Sequence, residues 1–217
     1  QFGTLQRMLK NTDEKSVKSF LTKEFSKVST NGAERILRHA EIDEKRRPSG
    51  LSVELIQNLL SAFMKVKLQA PRTDCLSPIE ELLIKKGLEK AIDSPFGATE
   101  TRAPAVSQGN PFQVEVGLVF GGDLPSDGSV EVLRFANRVP LMYQQGGCLL
   151  TKAIESINWR PYGLEQTGGR GVPKGPAAIL VHLASTNVQF TSEAKEAVAD
   201  NEEVHAELRR ALFAVGR

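Results

Sequence analysis

Lys195 is the residue whose type and setting best suit chemistry on a phosphate. It follows Thr191-Ser192-Glu193, a hydroxyl-rich helix cap with an acidic residue in the first turn. A helix N-terminus favours anions, so a lysine beside its free N–H groups makes an anion-binding corner; the other reading is a solvated lysine paired with Glu196. A second cluster, Trp159-Arg160-Pro161-Tyr162, sets two aromatics around an arginine on a proline-stiffened turn. It reads either as a surface for a sugar-phosphate backbone or as a plug at the end of a core. Lys45, Arg46 and Arg47 sit together in a charged loop over 43–50, and Ser77-Pro78-Ile79-Glu80 has the form of a capping box with proline at the first helical position. Exposed N–H groups at such a helix start, flanked by lysines, hold a phosphate without reading sequence; the alternative is an ordinary helical domain with a solvated basic face. The glycines of 167–176 invite comparison with a phosphate loop, but no Gly-Lys-Ser/Thr ends the run and Pro173 and Pro176 lead into a strand. That stretch reads as a flexible loop with two cations.

The elements that must position these residues fall into two groups. Over 1–92 the apolar spacing is helical: Leu5, Met8 and Leu9; Val17, Phe20 and Leu21; Ala33, Ile36 and Leu37; then Leu55, Ile56, Leu59, Leu60 and Phe63, with Pro71 ending the fourth helix and Ser77-Pro78 starting a fifth. Turn residues without a period over 93–110 suggest a linker. Beyond it, 112–120 and 130–135 alternate as strands and 145–157 reads as a crossover helix. Residues 177–183 make a buried strand with His182 its one polar side chain, and a last helix runs from about 192. The expected fold is α+β, an all-helical domain followed over 111–217 by a small α/β sandwich in the order β-β-α-β-α, with helices on one face of its sheet.

Composition narrows the function classes. No run reaches the roughly 18 apolar residues of a membrane span. Two distant cysteines and three scattered histidines offer neither a disulfide framework nor a metal site, which suits a reducing cytoplasm. The 217 residues carry a formal charge of +2, but 1–92 hold 17 Lys+Arg against 12 Asp+Glu, so this half is the one to meet a polyanion. Gln1 in the first position suggests a piece of a longer chain.

Several unrelated motifs then agree in one register. Arg134-Phe135-Ala136-Asn137-Arg138-Val139-Pro140-Leu141, Ile157-Asn158-Trp159-Arg160-Pro161-Tyr162-Gly163-Leu164, Leu183-Ala184-Ser185-Thr186 and Lys195-Glu196 resemble the transducer domain of the DNA topoisomerase VI B subunit. Phe25-Ser26-Lys27-Val28-Ser29, Cys75-Leu76-Ser77-Pro78-Ile79-Glu80 and Lys86-Gly87-Leu88 resemble the helix-two-turn-helix domain that this family places before it. The resemblance implies part of an ATP-dependent type IIB topoisomerase whose B subunit dimerises with a second copy on binding ATP and drives the A subunit to cut one duplex and pass another. It also implies a GHKL-type domain holding ATP and Mg2+ ahead of Gln1, so that the fragment alone turns over no ATP, and a stalk helix that begins at the chain's end. It assigns Lys195 to the γ-phosphate of ATP and Trp159, Arg160 and Tyr162 to duplex DNA, with Lys45, Arg46, Arg47 and Ser77 as the helical domain's candidates. The location implied is cytoplasmic, or nuclear in a plant. A DNA-binding module without ATP coupling and a structural adaptor between two domains fit the same charge pattern.

Overall fold

The computed structural model describes residues 2–25, 27–66 and 72–217. Its contacts divide the chain into two units, 1–71 and 72–217. The first is helical: α1 (Phe2–Asn11), α2 (Val17–Glu24), α3 (Thr30–Ala40) and α4 (Val53–Lys65), with a 3-10 turn at Pro48–Gly50. Serine starts three of these helices. Ser16, Ser29 and Ser52 each accept a hydrogen bond from the N–H three residues on, satisfying one of the donors that a helix start leaves free. The helical spacing read from sequence is the buried face, with Leu9, Phe20, Leu21, Ile36, Leu37 and Leu59 in one core. Pro71, the expected end of the fourth helix, and Ser26 lie outside the described residues.

The second unit runs α5 (Glu81–Ala91), β1 (Phe96–Thr101), β2 (Ala105–Ser107), β3 (Asn110–Phe120), β4 (Glu131–Ala136), β5 (Val139–Pro140), α6 (Leu149–Glu155), β6 (Ala177–Ser185) and α7 (Glu202–Gly216). The sheet order is β1-β3-β6-β4-β5, with β2 also on β3. Every pairing is antiparallel except β4 with β6, whose parallel alignment needs the crossover that α6 supplies. On β6 the side chains alternate. Ala177, Ile179, Val181 and Leu183 join the core beneath α6 and α7, while Ala178 and Leu180 pack with Ile84 and Leu88 of α5 on the other face.

This arrangement is α+β, and it differs from expectation in four places. The stretch 93–110 is not a bare linker: β1 and β2 lie in it as edge strands, unreadable locally because FGATET has no apolar alternation and becomes a strand by pairing with β3. The unit boundary falls at 71, not 92, because α5 buries Ile84 and Leu88 on the sheet. Helices therefore cover both faces. The last helix begins at Glu202, capped by Asn201, whose Oδ1 accepts from Val204 N at 3.0 Å, not at Ser192. The fifth helix begins at Glu81, not at Pro78.

The seat of α5 depends on the missing side chain of Gly117 in β3. A Cβ there would stand 2.7 Å from both Ile84 Cγ2 and Leu88 Cδ1, closer than packed carbons come. Gly117→Ala is expected to lower stability by about 1–3 kcal/mol through overpacking. Gly87→Ala, on the same helix with open space at its Cβ, is expected to raise it by up to about 1 kcal/mol. Urea midpoints for the two variants check this, and equal shifts would remove Gly117 from the account of the α5 seat.

Candidate functional site

The motif Arg134 to Leu141 is a set of clamps. Asn137 and Arg138, both with positive φ, form the two-residue turn between β4 and β5. The Asn137 side chain accepts from Ser185 N at 2.9 Å and donates to Ser185 O at 3.0 Å, holding the end of β6. Arg138 N donates to His182 Nε2 at 3.0 Å, and its guanidinium donates to the carbonyls of Ser77 (3.3 Å) and Pro78 (2.6 Å). Arg134, buried, donates to the carbonyls of Leu141 and Tyr143 and folds the following loop back.

Behind the turn lies a buried pair, of which the sequence pattern marks His182 but not its partner. Glu115 of β3 faces His182 of β6 in register, Oε2 at 2.7 Å from Nδ1, and both side chains are fully buried. Because His182 Nε2 accepts from Arg138 N, the ring proton sits on Nδ1 and goes to the carboxylate. Glu115 also accepts from Ile79 N (2.6 Å), Glu80 N (2.7 Å) and Thr101 Oγ1 (2.9 Å). Burial pushes its pKa up, but the donors His182, Ile79, Glu80 and Thr101 together hold it below the usual carboxylate range. The signal available in sequence was a lone glutamate in an apolar strand.

This pair removes the reason for giving Ser77 a phosphate. The N–H groups of Ile79 and Glu80, expected to be free at a helix start, are already donated to Glu115; Glu80 takes φ 75 and the helix starts after it. Ser77 itself is exposed, and its carbonyl is held by Arg138.

Lys195 lies on a closed loop, not in a helix. Residues 189–199 pair across their base, Thr191 N to Ala197 O and Ala199 N to Gln189 O, both 2.9 Å. The base is pinned to the start of α6 by Leu149 N to Val198 O (2.9 Å) and Val198 N to Cys148 Sγ (3.4 Å), with Ala197 and Val198 buried. Lys195 occupies the tip with φ 54, a conformation that costs a non-glycine residue about 1 kcal/mol or more. Its side chain is exposed, and among the described residues no ion pair joins it to Glu196 or any other acid. The helix-dipole argument for anion binding does not apply here, because the next helix starts seven residues later. What remains is an unpaired ammonium held out on a fixed loop.

The Trp159 cluster divides in two. Trp159 is 0% exposed, its Nε1 donating to Ile154 O at 2.8 Å, so its ring is core and is withdrawn from any backbone contact. Tyr162 packs edge-on against it, centroids 5.9 Å apart, and is half-buried against Gly216 of α7. Arg160 is exposed, steadied by Nε to Gln166 O at 2.8 Å. Gln166, also missed, is the hub: its side chain accepts from Trp159 N and donates to the carbonyls of Ile157 and Gly171.

In the helical unit, the carbonyls of Glu44 and Arg46 accept from Lys18 N and Val17 N, so the loop docks on the free donors at the start of α2. Lys45, Arg46 and Arg47 are left exposed, and among the described residues none of them is ion-paired. Within the second unit, Lys195 stands at the start of α6 and Arg160 beyond its end, so they form two places and not one. No group of His, Cys, Asp and Glu among the described residues could hold a metal, and no described helix is long and apolar enough to cross a membrane.

Residues 71–217 match the family model described as topoisomerase VI B subunit, transducer. The B subunit of type 2 DNA topoisomerase 6 from Methanococcoides burtonii is 52% identical over 217 residues, all of this chain and 35% of that protein. That of Archaeoglobus fulgidus is 46% identical over the same 217 residues, 36% of its length. The chain thus spans about a third of the length of these curated relatives. The crystal structure of the DNA gyrase B-subunit from Myxococcus xanthus covers 60% of this chain and 37% of its own at 19% identity and TM-score 0.39, a likeness too slight to argue from.

The lowered pKa of Glu115 has a signed consequence. The stability it contributes is complete above the ordinary glutamate value of about 4.3 and is lost as the pH falls through the lower folded value. Glu115→Gln, which turns an acceptor into a donor facing backbone N–H groups, is expected to cost about 1–3 kcal/mol at pH 7 and to flatten the acid limb. Denaturation midpoints of both proteins from pH 7 to pH 3 test this; a variant as stable as wild type at neutral pH would rule out any stabilising role for the Glu115 carboxylate.

Proposed function

The chain belongs to the topoisomerase VI B subunit family, whose transducer it carries over 71–217, and we propose that it couples ATP binding to DNA passage in a type IIB topoisomerase. On this reading it works with the topoisomerase VI A subunit, which cuts the duplex, and with a second copy of the B subunit, in the cytoplasm. On the same reading, ATP and Mg2+ would be held mainly by a GHKL-type domain of the same polypeptide. Bound ATP supplies a γ-phosphate charge that is present before hydrolysis and gone after it.

The observation that carries the proposal is the free ammonium of Lys195 on a loop closed by two backbone hydrogen bonds and pinned to α6. A lysine suits a contact that must be made and broken, being a compact point charge on a long stem. The unpaired side chain loses no internal ion pair when it meets the γ-phosphate. Because Val198 is bonded to Cys148 and Leu149, a pull at the loop tip is carried to α6 and the core above the sheet.

The helical unit is proposed as the helix-two-turn-helix domain and as a contact for duplex DNA, through Lys45, Arg46 and Arg47, whose neighbouring backbone is docked while the side chains stay exposed. Arg160, with Tyr162 beside it, is proposed as a further contact on the transducer. None of these offers a helix for the major groove, so binding is to phosphates and without sequence preference.

Two measurements test these assignments separately. In the complete heteromeric enzyme, Lys195→Ala is expected to lower ATP turnover by roughly 10²–10³-fold with DNA binding in the absence of nucleotide unchanged. Lys152→Ala, which loses the pair to Asp200 at 2.8 Å, is expected to keep turnover near wild type. Wild-type ATPase in Lys195→Ala would end the sensor assignment. Replacing Lys45, Arg46 and Arg47 together by alanine is expected to flatten the log–log salt dependence of duplex binding by about three units while ATPase without DNA stays intact. An unaltered slope would clear that loop of any role.

A further inference from the structure

The loop after Gln166 forms a second cationic feature on the transducer. Its arms are bonded to each other, Glu165 N to Lys174 O at 2.8 Å and Lys174 N to Glu165 O at 2.7 Å. They are bonded also to the strand side, Val130 N to Pro173 O and Gly175 N to Gly128 O, both 3.0 Å. Inside, the buried Gln166 side chain ties Gly171 O to Ile157 O. The loop expected to be flexible is therefore fixed at its base and middle. It encloses an open recess of about 300 Å3 walled by Glu165, Gln166, Thr167, Arg170, Val172 and Lys174.

The charges in this wall do not cancel. Arg170 and Lys174 are exposed and, among the described residues, have no acidic partner, whereas Arg102, Lys152 and Arg210 of the same unit are ion-paired. Glu165 is the one carboxylate of the wall. Arg160 is outside this wall but bonded to it, its Nε donating to the carbonyl of Gln166 at 2.8 Å. Two cations against one carboxylate leave the wall net positive, and Arg160 adds a third cation beside it. The Gln166 amide is engaged at both ends and no aromatic ring lines the recess, so a nucleobase finds neither an aromatic stacking face nor a free amide to read it.

We infer that this recess is a phosphodiester subsite for DNA, continuing the Arg160 corner into a track of three cations, Arg160, Arg170 and Lys174. The inference rests on the proposed DNA contact at Arg160. A strand, unlike a free phosphate, sets successive phosphodiesters along its length, so that one can meet Arg160 while the next meets Arg170 and Lys174, and the Thr167 hydroxyl adds a neutral donor. Fixing Lys174 in the paired arms and Arg160 on Gln166 leaves little main-chain freedom to lose when the strand docks.

The test is duplex binding by the 217-residue chain, followed by fluorescence anisotropy across a potassium chloride series. The double variant Arg170→Ala, Lys174→Ala is expected to flatten the log–log slope by about two units, with its thermal midpoint unchanged. Glu165→Gln is expected to tighten binding. Sodium phosphate at matched ionic strength is expected to compete no better than chloride. A double variant with the wild-type slope overturns the subsite while leaving DNA contact by the chain intact. Phosphate competing beyond its ionic strength overturns it in favour of a free-phosphate site. Absence of any salt-sensitive binding by the wild-type chain overturns both the subsite and the reading it rests on.

Discussion

The second unit is assembled around one buried charge. A carboxylate taken out of water is tolerated when its lone pairs are filled, and Glu115 fills its own from four directions: His182 on the neighbouring strand, Thr101 at the end of the edge strand β1, and the N–H groups of Ile79 and Glu80 before α5. The last three donors belong to segments whose own stability is slight. The edge strand has little apolar surface, and 77–80 has no repeating structure at all. The requirement to satisfy Glu115 places them, and His182 extends the same requirement to the β4–β5 turn through Arg138 N. Replacing the pair by apolar residues of similar volume need not weaken such a core, so the charge is better understood as specifying where these segments go than as a source of net stability.

That constraint also explains which parts of the fold are legible in the amino-acid order. Helices α1 to α4 are readable because their apolar spacing is local, as are the serine caps of α2, α3 and α4, and β3, β4 and β6 because apolar residues are dense along them. The strand β1 and the start of α5 are not, since their partners lie far along the chain, Glu115 being 36 residues from Ile79, and β2 is not because its three residues are too few to show a period although it pairs with the next residues of β3. Ser77-Pro78-Ile79-Glu80 is a good capping box in isolation, yet a tertiary carboxylate offers its N–H groups a stronger, charge-assisted acceptor. Thr191-Ser192-Glu193 fails for a related reason. Asn201 followed by Glu202 and Glu203 is a cap of equal quality, and burying Ala197 and Val198 requires an extended arm between the two.

For the candidate sites, residue type was readable and role was not. Lys195 is exposed and unpaired for reasons of loop closure, not of helix dipole. Trp159 shows the limit most plainly: an aromatic next to an arginine on a proline turn has the composition of a contact surface, but a tryptophan whose N–H finds a carbonyl at 2.8 Å can sit wholly in the core. The clamps Asn137 and Arg138 belong to a legible motif, yet nothing in their order along the chain shows that one holds Ser185 and the other His182, 44 residues away.

Helix α6 joins these places. Its seven residues make about 10 Å of rigid rod, with Leu149, Leu150, Thr151, Ala153 and Ile154 buried. The Lys195 loop is bonded to its first residue through Val198, and Trp159, which anchors the Arg160 corner, is bonded to Ile154 near its last turn. A close-packed helix does not stretch, and a shift at one end appears at the other as a translation or a tilt. Under the proposed function, a charge that draws the lysine loop toward a nucleotide therefore displaces the arginine corner proposed to meet DNA, with no messenger beyond three hydrogen bonds and two turns of helix. Coupling of this kind is reciprocal: DNA held at Arg160 biases the position of Lys195 by the same free energy that nucleotide at Lys195 exerts on the DNA contact.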